Sequence, residues 1–90
     1  MSTPTVALDT PIRFYEDRDC VAYVALGSTT GVNAVIEMGP TEALVDTVEI
    51  AATIPATGGV TATVLVPAGW WISVPTSGDL AVEVVTVITN

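Results

Sequence analysis

The chain contains no histidine and no lysine, one cysteine, two arginines and five aromatic residues. Each shortage removes a class of chemistry. Without His or Lys, a Ser or Thr hydroxyl lacks its usual activating base, so nucleophilic catalysis is not expected. The ten carboxylates are scattered along the chain with no aromatic pocket around any pair, which argues against acid–base catalysis as well. The sequence therefore reads as a non-enzyme with no catalytic residues and no cofactor. Cys20 alone can form neither an intrachain disulfide nor, in the absence of histidine, a zinc site; beside Val21 it reads as a small buried apolar residue. Ten acids against Arg13 and Arg18 give a net charge of −8, which repels phosphate backbones, so nucleic acid is not an expected partner. No apolar run approaches the roughly 18 residues of a spanning helix, and Met1-Ser2-Thr3-Pro4 lacks the basic and apolar regions of a signal peptide. A soluble, unprocessed protein without a membrane partner is expected.

What the chain has in abundance is β-branching. Fifteen Val, 14 Thr and 6 Ile make 35 of 90 residues β-branched, the class that packs well on a pleated surface and loses rotamer freedom in a helix. Ninety residues suffice for one domain with a two-layer core. Half the chain is apolar and only 13% is charged, against about 25% in ordinary soluble domains. So few charges leave part of the surface to be covered by another chain.

Turn residues recur every eight to twelve positions, the rhythm of a β-sandwich or barrel, here of about seven strands. Residues 1–11, with Pro4 and Pro11, read as an extended arm that orders against a partner, and 12–90 as the single domain. The expected strands are 12–15, 20–26, 32–38, 60–66, 70–74 and 80–89. Residues 41–54 are ambiguous, because Leu44, Val48 and Ala52 fall at helical spacing and Thr41 suits a helix N-cap, while the β-branched density of Val45, Thr47, Val48, Ile50, Thr53 and Ile54 favours a strand. Strand is the expectation adopted. The turns Pro55–Gly59, Pro67–Gly69 and Pro75–Gly78 each combine a fixed φ with a residue tolerant of positive φ.

Three features invite a functional role. The run Glu16-Asp17-Arg18-Asp19 could offer Asp17 and Asp19 to a hard cation, but Arg18 between them makes a solvated turn with local ion pairs the better reading, and no metal is expected. Trp70 and Trp71 are strand neighbours and so point to opposite faces; one enters the core and the other suits a subunit interface better than a ligand-stacking platform. In 80–89, simple alternation puts Leu80, Val82, Val84 and Ile88 on one face and Ala81, Glu83, Val85 and Val87 on the other, so Val85 and Val87 join the tryptophans as expected interface residues.

The segment 54–80, IPATGGVTATVLVPAGWWISVPTSGDL, resembles stretches of small β-structured virion proteins and fibre modules of tailed bacteriophages, in which a strand runs into a V-P-A-G turn, an aromatic-rich strand and an S-G turn. Val66, Pro67, Ala68, Gly69, Trp70 and Trp71 carry the resemblance. It implies a structural virion component, made in the host cytoplasm and located on the capsid surface: a capsid decoration (cement) protein that binds the major capsid protein, or another virion protein, as a homo-oligomer, with a trimer favoured. A head-fibre or tail-fibre component is the alternative within that class. A carbohydrate-binding β-sandwich using an exposed Trp is the alternative outside it.

Overall fold

In Gly58–Val66, Thr61, Thr63 and Leu65 alternate with Ala62, Val64 and Val66, the pattern a half-buried strand requires. The computed structural model, which describes residues 2–89, is built from segments of this kind. Met1 and Asn90, the outermost residues of the expected arm and domain, lie outside the described residues. Among the described residues seven strands form: β1 (Ile12–Arg13), β2 (Cys20–Ser28), β3 (Val32–Gly39), β4 (Val48–Ile54), β5 (Gly58–Val66), β6 (Trp71–Ser73) and β7 (Ala81–Thr89). They make two antiparallel sheets, ordered β1-β6-β3-β4 and β5-β2-β7. The protein is an all-β sandwich, as its composition requires. Among the described residues no helix is long and apolar enough to cross a membrane.

The core lies between the sheets, with Ala22, Val24 and Leu26 of β2 facing Ala34 and Ile36 of β3 and Ile72 of β6, all buried. The turns follow the Pro–Gly reading at two sites: Gly69 and Gly78 have φ of 78° and 54°. At the third it is Thr57, not Gly58 or Gly59, that adopts positive φ, 53°.

Two expectations change. Residues 41–54 are strand only from Val48; before it, Glu42–Leu44 form a short 3₁₀ turn capped by Thr41, whose hydroxyl accepts from the Leu44 N–H at 3.2 Å. The capping signal therefore prevails locally over β-branching. The arm does not project from the domain. Ser2 pairs with Val87, Val6 and Leu8 pack against the core, and Asp9 bonds to the β6–β7 loop, so residues 2–11 cross one open side of the sandwich. Two apolar anchors and one carboxylate hold it there.

Candidate interaction surface

The tryptophans separate as neighbours on a strand must. Trp70 packs on the core, whereas Trp71 is half-buried on the outer face of the four-stranded sheet, between Arg13 and Gly39 in the cross-strand row. The Arg13 guanidinium lies 5.3 Å from the Trp71 ring centroid, a cation–π arrangement that covers the ring. This face is also charged. Glu37 stands opposite Glu49, and its carboxyl is raised above its ordinary value by burial first, then by the charges of Glu49 and Asp46.

Val85 and Val87 are not on any outer face. They are 2% and 1% exposed and belong to the core, which corrects their assignment to an interface. The cause is a β-bulge. Ala25 pairs with Val84 and Leu26 with Val82, so Glu83 is an extra residue on β7. One inserted residue reverses the alternation beyond it: Leu80 and Val82 face inward before the bulge, Val85 and Val87 after it, and Val84 and Ile88 turn outward.

That reversal completes an unusual surface. Three cross-strand rows, Thr61–Ala25–Val84, Thr63–Tyr23–Thr86 and Leu65–Val21–Ile88, make up the outer face of β5-β2-β7. None of the nine side chains is charged, and Leu65 and Val84 are 72% and 51% exposed. A shallow hollow bordered by Val21, Leu65 and Ile88 lies at one end, next to Asp19. At the other end the Glu83 carboxylate lies over Gly27. An apolar, threonine-studded patch thus sits between acidic margins, the composition of a contact centre with a polar rim. Alternation in residue type marks the outward Thr61 and Thr63 of β5, whereas the β7 row is hidden, because the bulge leaves no mark in residue type.

The acids act within the fold. Asp79 ties the loop after β2: its carboxylate accepts from the Ser28 hydroxyl at 2.5 Å, the Thr29 N–H at 2.9 Å, the Thr30 hydroxyl at 3.0 Å and the Thr29 hydroxyl. Asp9 accepts from the Thr76 N–H at 2.8 Å and from its hydroxyl, and Asp19 from the Ala68 N–H at 2.8 Å. Asp17 bonds Arg18 instead, at 3.4 Å, and Glu16 pairs with Arg13 at 3.9 Å, so the three carboxylates of the 16–19 cluster each have a different partner. Among the described residues no three metal-ligating side chains converge. Cys20 is a buried free thiol, its pKa pushed up by burial and further by Asp19.

Hydrogen bonds from Ser28 and then Thr29 hold the Asp79 carboxyl far below the ordinary range, and those from Thr76 lower Asp9. A carboxyl whose folded pKa is depressed contributes stability above its unfolded value, near 3.9, and loses it as pH falls through the folded value. Thermal midpoints should therefore decline below about pH 4. Asp79→Asn should lower the midpoint at pH 7, and the gap to the parent should narrow steadily between about pH 4 and pH 2, as followed by circular dichroism; parallel curves would show that the clamp does not contribute.

Comparison with family models, with curated proteins and with solved structures found no match to this chain.

Proposed function

We propose that this chain is a structural assembly protein, and specifically a virion component that decorates a capsid: a homo-oligomer whose uncharged sheet faces dock on the capsid protein lattice and stabilise it. The observation that carries this reading is the nine-residue face without a charge on a chain of net charge −8. A basic partner would be drawn to the acidic surfaces, whereas this face suits an uncharged apolar patch. Its size explains why assembly is needed. At about 4.8 Å between strands and 6.8 Å between like-facing residues it spans roughly 14 by 20 Å, or about 300 Å². One copy falls short of the roughly 800 Å² per partner of a standard interface, and three reach it. The choice of a capsid, and of a trimer, comes from the resemblance of 54–80.

The test is sedimentation of the purified protein alone and with tailed-phage capsids from the source strain. The full chain should co-sediment as an oligomer, and 1 M salt should not release it, since no ion pairs cross such a face. Leu65→Glu should leave the thermal midpoint nearly unchanged, because the side chain is exposed, and should weaken attachment at least 100-fold by burying an unpaired carboxylate. A chain that stays in the supernatant as a monomer would overturn the proposal.

Trp71 supports a second reading, a carbohydrate-binding sandwich, because it lies on an outer face beside polar residues. Arg13 over the ring weighs against it. Retention on a polysaccharide column that is lost in Trp71→Ala but kept in Leu65→Glu would favour the glycan reading.

A further inference from the structure

The segment ahead of β1 is fastened to the sandwich by backbone hydrogen bonds at Ser2 and at Asp9. At one end Ser2 and Val87 exchange backbone hydrogen bonds of 2.9 and 2.8 Å. At the other, the Asp9 N–H donates to the Val74 carbonyl at 2.9 Å while its carboxylate accepts from Thr76. Among the described residues no backbone hydrogen bond joins 3–8 to β7, and a hollow separates Thr3–Val6 from Val82–Val85. Pro4 accounts for the gap. Extending the Ser2–Val87 register places Pro4 opposite Val85, and proline has no N–H to donate. The outer part of this strap is held by one bridge and by Val6 on the core.

The strap turns back on its own domain at Asp9, whose φ of 58° is a left-handed conformation that residues with a side chain adopt at a cost. Opening that turn relieves it. Residues 2–8 fully extended then span roughly 20 Å, comparable with the 27 and 17 Å shorter dimensions of the molecule. An opened strap reaches the equivalent site on an adjoining copy. Residues 2–8 carry no charged side chain, so the strap enters a neighbour of net charge −8 without like-charge repulsion.

We propose that residues 2–7 are exchanged between copies of this chain, each Ser2 pairing with the neighbour's Val87 and each Val6 seated on the neighbour's core. The contacts of residues 2–7 are the same in the closed and exchanged forms, so the balance rests on the relieved turn, set against the Asp9 bond to Val74 and the Leu8 packing that opening disturbs, and on the local concentration of copies, which a lattice raises. Asp9 acts as the hinge: its carboxylate stays on Thr76 while its N–H leaves the Val74 carbonyl as the turn opens. Exchange rests on the assembly reading above, for which it supplies the link between copies, and it leaves the uncharged faces free to dock.

The test uses the full chain with Ser2→Cys, Val87→Cys and Cys20→Ala. Directly opposed, hydrogen-bonded strand residues have Cα atoms about 5.5 Å apart, within disulfide range. The oligomer is oxidised, then denatured without reductant and weighed, its native mass having been measured first. Chains joined in covalent multiples are expected. A stable oligomer whose cross-links are all intrachain overturns the exchange and leaves the assembly reading standing; a monomer at every concentration overturns both. Isotope-filtered NMR of a mixed labelled and unlabelled sample of the unaltered protein makes the same distinction without mutation. Contacts between Ser2 and Val87 of different chains support exchange, and their absence in an assembled sample overturns it.

Discussion

Val85→Asp should abolish cooperative folding, while Val84→Asp, one residue earlier, should cost no more than about 1 kcal/mol, the span of β-propensity. The two sites differ only in which side of the sheet they face. Val85 is 2% exposed within the core, where an unpaired carboxylate costs several kcal/mol. A domain of this size has only about 5–13 kcal/mol in total. Val84 faces solvent. The isosteric pair keeps the comparison measurable if the first variant does not fold: Val85→Thr should cost about 1–3 kcal/mol by burying an unbonded hydroxyl, and Val84→Thr close to nothing. Thermal melts suffice, and equal costs at the two positions would show that the bulge at Glu83 is misplaced. Val84→Asp has a second expected effect under the proposed capsid-decoration role, since it puts a charge on the face proposed to dock: a folded chain that does not co-sediment with capsids.

The same bulge marks the limit of what could be read from residue types. β5 could be read directly, because Thr61 and Thr63 alternate with apolar residues without interruption. β7 could not, because Val82, Val84, Val85 and Val87 are chemically identical and only the pairing with Ala25 and Leu26 shows where the alternation reverses. The two-sided apolar character attributed to 80–89 was the sum of two one-sided halves. Turns were legible where proline and glycine coincide, at Gly69 and Gly78, and less so at Thr57, where a β-branched residue takes the left-handed conformation. The roles of Asp9, Asp19 and Asp79 were invisible for a different reason: their partners lie 49 to 67 residues away, and no local pattern records a contact made across the fold. The adjacency of Trp70 and Trp71 was fully informative about direction and silent about Arg13, which arrives from β1.

Gly39→Ala should destabilise the domain by on the order of 3 kcal/mol, whereas Gly27→Ala should be tolerated, although a Cβ collides with a neighbour at both sites. At Gly39, the last residue of β3, the added carbon would fall inside the Leu44 carbonyl and 2.8 Å from Val45 Cα, both main-chain groups. They cannot step aside cheaply. The Leu44 carbonyl accepts from the Thr47 N–H at 3.1 Å and its hydroxyl at 2.6 Å, and the Leu44 N–H is tied to Thr41. Making room means lifting the whole 41–47 segment off the sheet and losing these bonds. At Gly27 the colliding atoms are the far end of the Glu83 side chain, which can rotate into solvent. At about 4–8 °C per kcal/mol for a domain of this size, Gly39→Ala should lower the thermal midpoint by roughly 12–24 °C. Gly27→Ala should shift it by only a few degrees, at about 1 kcal/mol or less. Comparable losses at the two glycines would mean that the 3₁₀ turn after β3 yields as easily as a surface side chain, and that its hydrogen bonds do not hold it against the sheet.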